Sequence, residues 1–532
     1  MKLNSKWISR NRTRNTLIIA TSVIALTAGC TAAGSTTGSG SSEPVTGGIL
    51  KVASGTDLVS LDPTIGTATA TVTVGTAIYD HLMIIDKNGD APRPNLATAL
   101  EPNVDLTKWT MTLPTGVTFS DGTPFNASAV KFNIDRHIDP TRTSSAAALL
   151  SAVDSVDVPD ESTVVFNLAY PQAGFPYMLA NDESSTASFI ASPTAITTYG
   201  KDYTSHASGV GPFKLAKWAP GQPVILERNP NYWKGADKVH LDGVEIRTIE
   251  DPQTAFQAVQ AGDIDVIAST NGAVLKAAQT NSSVQLILGE GNDQTSIALN
   301  TATAPFDDIR VRQAVSKAVN RTEIVNLVKE GMTSDAVSLF PTDDPWYQGA
   351  SSPQYDLDGA KALVKEYESD TGKKVEFTYI CRASVDDTQV IERQLAAAGM
   401  NVKIEIQETA AALANFFGGK YQATCWNMAA FLTPDTLPYR FFHSTGDLNH
   451  MAFANVDFDA FVDEARRTGD LDKQKELWGK ADEILAAQLP WVWKTGQPVG
   501  FIAGKDVRSI TLDEPARLRG RIVDVREMWL DR

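Results

Sequence analysis

The sequence predicts an α/β protein with more than one lobe. Its 532 residues far exceed the length that a single hydrophobic core usually organises. The stretch KKVEFTYICRASVDDTQVIERQLAAAGMNVKIEIQ reads as strand, helix and strand, and a connection that contains a helix is typical of a parallel crossover. Strands and helices alternate elsewhere with long connections, which favours α/β lobes over a β-sandwich.

The first half of the body carries local signals for strands, turns and helix starts. Short strands are expected at 109–113 and 117–119, with turn residues between them. Asn126 is a good helix N-cap, and the apolar residues that follow recur at helical spacing. Pro220 and Gly221 together are typical of a type II turn, so a hairpin is expected there.

The second half carries similar signals. A helix is expected to begin after Asp251, which can serve as its N-cap, and to end at Gly262. Farther along, a strand at 375–381, a helix near 385–398 and a strand at 402–406 form the predicted parallel crossover.

The N-terminal residues have the pattern of a secretory signal. Five cations and no acid precede the short apolar run TLIIATSVIALTA. This run is shorter than the roughly 20 residues that span a bilayer, and small residues follow it, as in a signal that is cleaved. After Cys30 the chain is rich in Gly, Ser, Thr and Ala, a composition that does not fold alone. We predict a signal over 1–29 and a flexible tether over 30–46.

Charge and composition exclude several kinds of partner and site. The formal net charge is −16, and without the five N-terminal cations 42 basic residues face 63 acidic ones. This balance disfavours nucleic acid and anionic lipid as partners. Besides Cys30 only Cys381 and Cys425 are present, and they form either a disulfide or two buried thiols. Two cysteines and six scattered histidines give no zinc spacing, so no metal and no cofactor are expected.

Four blocks of the sequence stand out, in the order FSDGTPFNASAVKFNIDR, GVGPFKLAKWAPGQPVILERNPNYWKG, TAFQAVQAGDIDV and FDDIRVRQAVSKAVNRTEIV. They resemble the blocks of the family 5 extracytoplasmic solute-binding proteins of ATP-binding-cassette importers, in the family order, and the similarity covers roughly 47–500. The family includes oligopeptide, dipeptide and nickel binders.

The resemblance implies a two-lobed periplasmic-binding-protein-like fold of type II, with an extra subdomain and a hinge between discontinuous lobes. Lobe I would comprise 47–76, 206–294 and 495–532, the extra subdomain 77–205, and lobe II 295–494. Strands that cross between the lobes would act as the hinge, and closure would bury the ligand.

The resemblance also implies the function. The protein would capture a small solute, by family default a peptide or a peptide-like molecule, in the cleft between its lobes and deliver it to the permease subunits in the membrane. We expect a monomer without catalytic residues, which is not an enzyme.

The residues before Cys30 resemble the lipobox of bacterial lipoproteins, in which the cysteine is acylated and becomes the mature N-terminus. The usual leucine three places before the cysteine is Thr27 here, and Leu26 stands one place earlier. A diacyl modification gives stable membrane anchoring. We therefore expect an extracytoplasmic protein held by lipid on the outer face of the cytoplasmic membrane.

The stretch CWNMAAFLTPDTLPYRFFHS carries most of the candidate ligand residues. In peptide-binding members the matching stretch resembles Trp-x-x-Asp-x-x-Asp-Pro, and its first acid pairs with the α-ammonium of the peptide. Aligned on Pro434, the two acids fall at Ala430 and Thr433, so both charges are missing. Asp435 replaces them only if the loop is shifted. Because a buried ammonium without a carboxylate partner is costly, the usual dipeptide mode is not expected.

Aromatic residues and one arginine complete the candidate site. Trp426 and Phe431 could stack on a ligand or pack in the core. Trp493 shares one strand face with Trp491, which borders the cleft or belongs to the core. Arg382 follows a strand and is suited to a bidentate pair with a ligand carboxylate, although exposed arginines are ordinary. The complete candidate set is Arg382, Trp426, Asn427, Ala430, Phe431 and Trp493.

Two other functions stay open at this point. A secreted, lipid-anchored hydrolase is one alternative, but the sequence has no Gly-x-Ser-x-Gly elbow, no His-Glu-x-x-His and no phosphate loop. A ligand-sensing lipoprotein without transport is the other, and it would have the same fold.

Overall fold

The structure is a computed structural model that describes 43–65, 69–85, 91–180, 186–382, 386–429, 431, 433–510 and 522–532, apart from the side chains of 290–292. The chain divides into two compact units, Met1–Glu43 and Pro44–Arg532. All helices and strands given below belong to the second unit. The predicted signal, Cys30 and most of the predicted tether lie outside the described residues.

The strands of the described residues run throughout this unit. They are β1 (Ile49–Ser54), β2 (Met83–Ile85), β3 (Pro92–Pro94), β4 (Ala99–Pro102), β5 (Lys108–Thr112), β6 (Val153–Asp160), β7 (Thr163–Leu168), β8 (Phe213–Lys217), β9 (Val224–Arg228), β10 (Gly243–Thr248), β11 (Val266–Ser269), β12 (Val284–Leu299), β13 (Glu376–Arg382), β14 (Asn401–Gln407), β15 (Ala423–Met428), β16 (Trp491–Gly504), β17 (Val507–Arg508) and β18 (Trp529–Leu530).

Helices alternate with these strands. They are α1 (Thr69–Tyr79), α2 (Ala127–Ile138), α3 (Phe175–Met178), α4 (Pro193–Tyr199), α5 (Pro252–Ala261), α6 (Gly272–Gln279), α7 (Ile309–Ala318), α8 (Arg321–Val328), α9 (Leu357–Thr371), α10 (Thr388–Ala397), α11 (Thr409–Phe417), α12 (Leu437–Phe442), α13 (Val456–Arg466) and α14 (Leu471–Gln488), with 3-10 helices at Gly200–His206 and Ala236–Lys238.

The predicted caps and turns are confirmed. Asn126 Oδ1 accepts the amide of Ala129 at 3.1 Å and begins α2, because an Asn side chain satisfies an N–H that the first helical turn leaves unpaired. Asp251 caps α5 in the same way, and Gly262 ends it at a φ of 78°, in the left-handed region that favours glycine. Gly221 has a φ of 71° between the paired strands β8 and β9.

The predicted strand at 117–119 is wrong. Only one isolated bridge forms there, between Thr118 and Pro124. The Phe119 amide donates to the Thr123 carbonyl at 2.8 Å, and the Phe125 amide donates to the Val117 carbonyl at 2.9 Å. The segment therefore closes on itself as a tight turn, and its backbone groups are satisfied locally instead of in a sheet.

A ten-stranded sheet organises the unit, in the order β14-β13-β15-β12-β16-β11-β1-β10-β9-β8. We call strands β8–β11 and β1 half A, and strands β13–β15 half B. The long strands β12 and β16 join the two halves. The predicted parallel crossover is confirmed, because β13 and β14 pair in parallel on either side of α10. A separate four-stranded sheet has the order β4-β5-β7-β6.

The buried apolar side chains form separate cores. One core lies within 82–210 and includes side chains of the four-stranded sheet. Two others contain side chains of half A, and two lie within 297–493 and contain side chains of half B. In the described part of the chain, no core combines buried residues of 297–493 with buried residues from outside that range. The fully buried apolar residues of the two halves thus belong to separate cores.

A buried carboxyl group on α14 makes stability depend on pH. Asp482 Oδ1 accepts the amide of Leu339 at 3.0 Å, while Oδ2 has no hydrogen-bond partner among the described residues. Burial raises the pKa of Asp482 from 3.8 to about 7. The folded protein then binds a proton that the unfolded chain releases, so this group lowers stability as the pH rises from about 4 to about 7.

Asp482→Asn, which mimics the protonated acid, is expected to stabilise the protein at neutral pH. The free energy of unfolding, measured by urea at several pH values, should rise by roughly 4 kcal/mol at pH 7.5 and change little near pH 4. If the free energy of unfolding of the variant differs from that of the wild type by the same amount at both pH values, the proton does not bind to Asp482.

Candidate functional site

The parallel strands of half A end at one edge of the sheet. Strands β1, β10 and β11 run parallel and end at Ser54, Thr248 and Ser269. Ser269 lies opposite Gly500 of β16, and Gly500 lies opposite Leu288 of β12. The carboxyl ends of half A are therefore level with Leu288.

The strands of half B end at nearly the same level, although they run in the opposite direction. Strands β13 and β15 are parallel to each other and end at Arg382 and Met428. Because β15 is antiparallel to β12, Met428 lies opposite Gln294. The carboxyl ends of both halves thus converge on 288–294, the middle of β12. Ligands of open α/β sheets bind beyond the carboxyl ends of the strands. We call the region at these two edges the central site.

The two strands beside the central site have the properties of a hinge. With 16 and 14 residues, β12 and β16 are far longer than an ordinary strand of about 5–6 residues. Their pairing register shifts twice between Glu290 and Ser296, so the ladder is interrupted between the halves. Within this interruption the hydroxyl of Thr295 donates to the Thr495 carbonyl at 3.0 Å. Bending at the interruption disturbs fewer hydrogen bonds than bending within either half.

Half A contributes a cavity of about 230 Å³ to the central site. It lies at the ends of β1, β10 and β11, and Glu250 is the one ionisable residue among its described lining residues. Glu250 is exposed and lies two residues after the end of β10. Most other polar lining residues carry hydroxyl groups, namely Ser54, Thr56, Thr69, Thr73, Ser269 and Thr270.

Half B contributes an arginine that has no acidic partner among the described residues. Arg382 is the last residue of β13 and is half-buried. Its Nε is buried and has no hydrogen-bond partner among the described residues. The neighbouring acids are already paired: Asp386 binds Lys329 at 3.1 Å and Asp387 binds Lys494 at 2.6 Å. Because an unpaired buried donor costs about 1–3 kcal/mol, Arg382 is suited to a ligand oxygen.

A disulfide fixes the edge of half B. Cys381 and Cys425 are bonded, with their Cα atoms 5.0 Å apart, so of the two alternatives left open by the sequence the structure has the disulfide. The bond joins β13 to β15 one residue before Arg382 and Trp426. Since successive side chains of a strand point to opposite faces, Arg382 and Trp426 share the face opposite the disulfide.

Removing this disulfide is expected to destabilise the protein. The double variant Cys381→Ala, Cys425→Ala should lose about 2–4 kcal/mol of unfolding free energy, because the unfolded chain is no longer cross-linked. Urea unfolding of the wild type with and without reductant gives the same comparison, and the double variant serves as the reductant-insensitive control. Equal stability of the oxidised and reduced wild type would contradict this expectation.

The structure brings three predicted residues to the edge of half B. Arg382 and Trp426 lie there together, and Asn427 lies opposite Thr295 of β12. Trp426 is half-buried and stacks on Phe416, with ring centroids 3.7 Å apart. It is therefore held rigidly with one ring face already covered.

The other predicted residues are placed differently. Phe431 is 5 % exposed and packs edge-on against Phe340. Trp493 is 1 % exposed and contacts Trp491, with centroids 5.4 Å apart, so the face that they share belongs to the core. Ala430 lies outside the described residues. Contact of these three with a ligand stays a prediction.

The carboxylate of Asp435 is buried and is not exposed at the edge of half B. It is 4 % exposed, and its carboxylate lies so close to Gly174 that a Cβ at that glycine would be 2.7 Å from Oδ2. Burial raises the pKa of Asp435. The side chain is therefore directed into a packed contact with the segment before α3.

Sequence reasoning missed the half A side of the central site. Ser54 and Ser269 are the last residues of β1 and β11, and Glu250 follows the end of β10. The three strands end at the same edge of the sheet. The signal available in the sequence was their place at the end of an apolar strand, but only the pairing of β1, β10 and β11 shows that the three positions meet. Among the described residues no cluster of metal-ligating side chains occurs, and no helix in that part of the chain has the length and apolarity to cross a bilayer.

The fold and this site define a two-lobed binding protein. A family model for bacterial extracellular solute-binding proteins, family 5, matches residues 91–449. The chain belongs to this family, and it is an extracytoplasmic protein that binds a solute. The predicted class, the solute-binding component of an ATP-binding-cassette importer, is confirmed. The family and its relatives are binding proteins.

Named relatives agree with this membership. The glutathione-binding protein GsiB of Shigella flexneri is 26 % identical over 460 residues, which cover 83 % of this chain and 87 % of the relative. DppA of Helicobacter pylori, solved with the peptide STSA, has a TM-score of 0.78 at 24 % identity and covers 92 % of this chain and 99 % of its own. The oligopeptide-binding protein AppA of Bacillus subtilis, solved with a nonapeptide, has a TM-score of 0.76 at 22 % identity, over 92 % and 100 % of the two chains. These two likenesses establish the fold.

Proposed function

We propose that the protein binds a peptide or a peptide-like solute between its two lobes and delivers it unchanged to a membrane permease. Half A with the four-stranded sheet belongs to lobe I (47–76, 206–294, 495–532 and the subdomain 77–205), and half B belongs to lobe II (295–494). The separate cores of the two halves support this division. The observation that carries the proposal is the convergence of both carboxyl edges on the interrupted middle of β12.

The solute class follows from the groups in the central site. Arg382 supplies an unpaired guanidinium, which pairs bidentately with a carboxylate. Trp426 and the hydroxyl-lined cavity supply an apolar surface and neutral polar contacts. GsiB is named as a glutathione-binding protein, and glutathione and dipeptides are therefore the first solutes to test. The protein acts as a monomer and performs no chemistry on the solute.

Binding is tested by calorimetry with glutathione and L-alanyl-L-alanine, together with native mass spectrometry of the freshly purified protein. One solute per chain, recovered with unchanged mass, is the expected result. Turnover of the bound solute, or no saturable binding of either glutathione or L-alanyl-L-alanine, would contradict the proposal.

A lipid anchor at Cys30 would hold the protein at the membrane. The proposal rests on the basic start, the short apolar run and the small residues before Cys30. Cys30→Ser is expected to move the protein from the membrane fraction to the soluble fraction in its own host, as followed by immunoblotting, while solute binding is unchanged. Persistence of the variant in the membrane fraction would contradict lipid anchoring.

A further inference from the structure

The acidic residues that the structure describes along the edge of half B are either paired with a lysine or enclosed by neighbouring residues. Asp386 pairs with Lys329 and Asp387 with Lys494, and Asp435 is buried against Gly174. Ala429, which precedes the predicted position of the ligand acid, is exposed and carries no charge. Asp293, beside Gln294 on β12, also has a partner of its own. An amine bound at this edge would therefore meet the Arg382 cation and described acids that already have contacts. The amino group of a solute therefore needs a partner elsewhere in the central site.

Half A offers that partner. Glu250 lines the cavity at the ends of β1, β10 and β11, and among the described residues no side chain pairs with its carboxylate. Glu250 is exposed, so water solvates its charge while the site is open. When a solute and the opposite lobe displace this water, an unpaired carboxylate becomes costly, and an ammonium group compensates it.

The hydroxyl groups around Glu250 match the atoms that adjoin an amine in a peptide. Ser54 and Ser269 end β1 and β11, and each is 6 % exposed. Ser54 Oγ accepts the amide of Thr56 at 3.3 Å, and Ser269 Oγ accepts the amide of Asn271 at 3.2 Å. With these acceptor positions used, both hydroxyl groups keep their proton to donate to a carbonyl or carboxylate oxygen.

We propose that the cavity of half A binds the amino end of the solute, with its ammonium on Glu250 and an adjacent oxygen on Ser54 and Ser269. The carboxylate at the other end reaches Arg382 on half B. The solute is then held across the two halves by charges of opposite sign, and both pairs form fully only when the halves close. This arrangement differs from the pairing of an α-ammonium with an acid of the half B loop, and it rests on the proposed function.

The experiment compares solutes with and without a charged amine. Calorimetry with glutathione and L-alanyl-L-alanine, and with the N-acetyl derivative of each, is run on the wild type and on Glu250→Gln. We expect Glu250→Gln to weaken binding of the free-amine solutes about tenfold or more and to leave the N-acetyl derivatives unaffected. The wild type should itself prefer the free-amine solutes by a similar factor, a measurement that needs no variant.

Glu101→Gln is the matched control, because Glu101 is an exposed carboxylate on β4 outside the cavity. This variant should bind all four solutes like the wild type. If Glu250→Gln binds the free-amine solutes as tightly as the wild type, the amine subsite is wrong while the proposed function stands. If the wild type binds none of the four solutes, the proposed function fails and the subsite fails with it.

Discussion

Replacing Lys494 by methionine is expected to lower the free energy of unfolding by about 3–5 kcal/mol. Lys494 lies on β16, is 1 % exposed, and its Nζ is 2.6 Å from Oδ2 of Asp387. Asp387 is 2 % exposed and its Oδ1 has no hydrogen-bond partner among the described residues. The variant would therefore leave a buried carboxylate without compensation, at a cost that urea unfolding measures directly.

Two further variants separate this effect from a general loss of charge. Lys480→Met removes a surface pair with Glu476, in which the two side chains are 43 % and 51 % exposed, and should leave the free energy of unfolding nearly unchanged. In the double variant Lys494→Met, Asp387→Leu no buried charge is left unpaired, so most of the stability should return. A double variant as unstable as Lys494→Met would show that the loss comes from packing instead of charge.

The buried pair also bears on function. Asp387 immediately precedes α10 but makes no capping hydrogen bond with its side chain, because that carboxylate binds Lys494. The pair thus ties the strand that joins the two halves to the segment that follows Arg382.

Replacing Arg382 by glutamine is expected to weaken the binding of a carboxylate-bearing solute by about 100-fold, because the bidentate charged contact is lost. Stability should hardly change, since no described residue forms an ion pair with Arg382. Arg382→Lys keeps the charge but loses the planar donor geometry, so it should recover affinity only in part. Calorimetry with glutathione measures all three proteins.

Arg393→Gln provides the control on the same half. Arg393 lies on α10, its side chain is 60 % exposed, and it pairs with Glu323 on the surface, so its loss should leave affinity unchanged. If Arg382→Gln binds glutathione with the affinity of the wild type, the carboxylate does not bind at the edge of half B.

The parts of the fold predicted correctly are those that depend on local chemistry. Asn126 and Asp251 cap their helices because the side chain of a residue satisfies an amide only three positions away. The crossover from β13 to β14 follows from a strand, helix, strand pattern that is contiguous in the sequence. The prediction at 117–119 was wrong, because a β-like composition does not show whether a partner strand exists.

The central site depends on contacts between distant residues, which a single sequence does not contain. The pairs Lys494–Asp387 and Cys381–Cys425 join residues that are far apart in the sequence. Likewise, alternation placed Trp491 and Trp493 on one face but did not show that this face is buried. Arg382 could be proposed from the sequence because it follows a predicted strand, whereas Glu250 required the strand order of half A.

Small-angle X-ray scattering with and without a saturating solute tests the central claim most directly. If the two halves close over a solute by bending at the middle of β12 and β16, the radius of gyration of the wild type should fall on saturation with glutathione or L-alanyl-L-alanine. The same protein without solute is the reference. Unchanged dimensions at a solute concentration that calorimetry shows to be saturating would contradict the account.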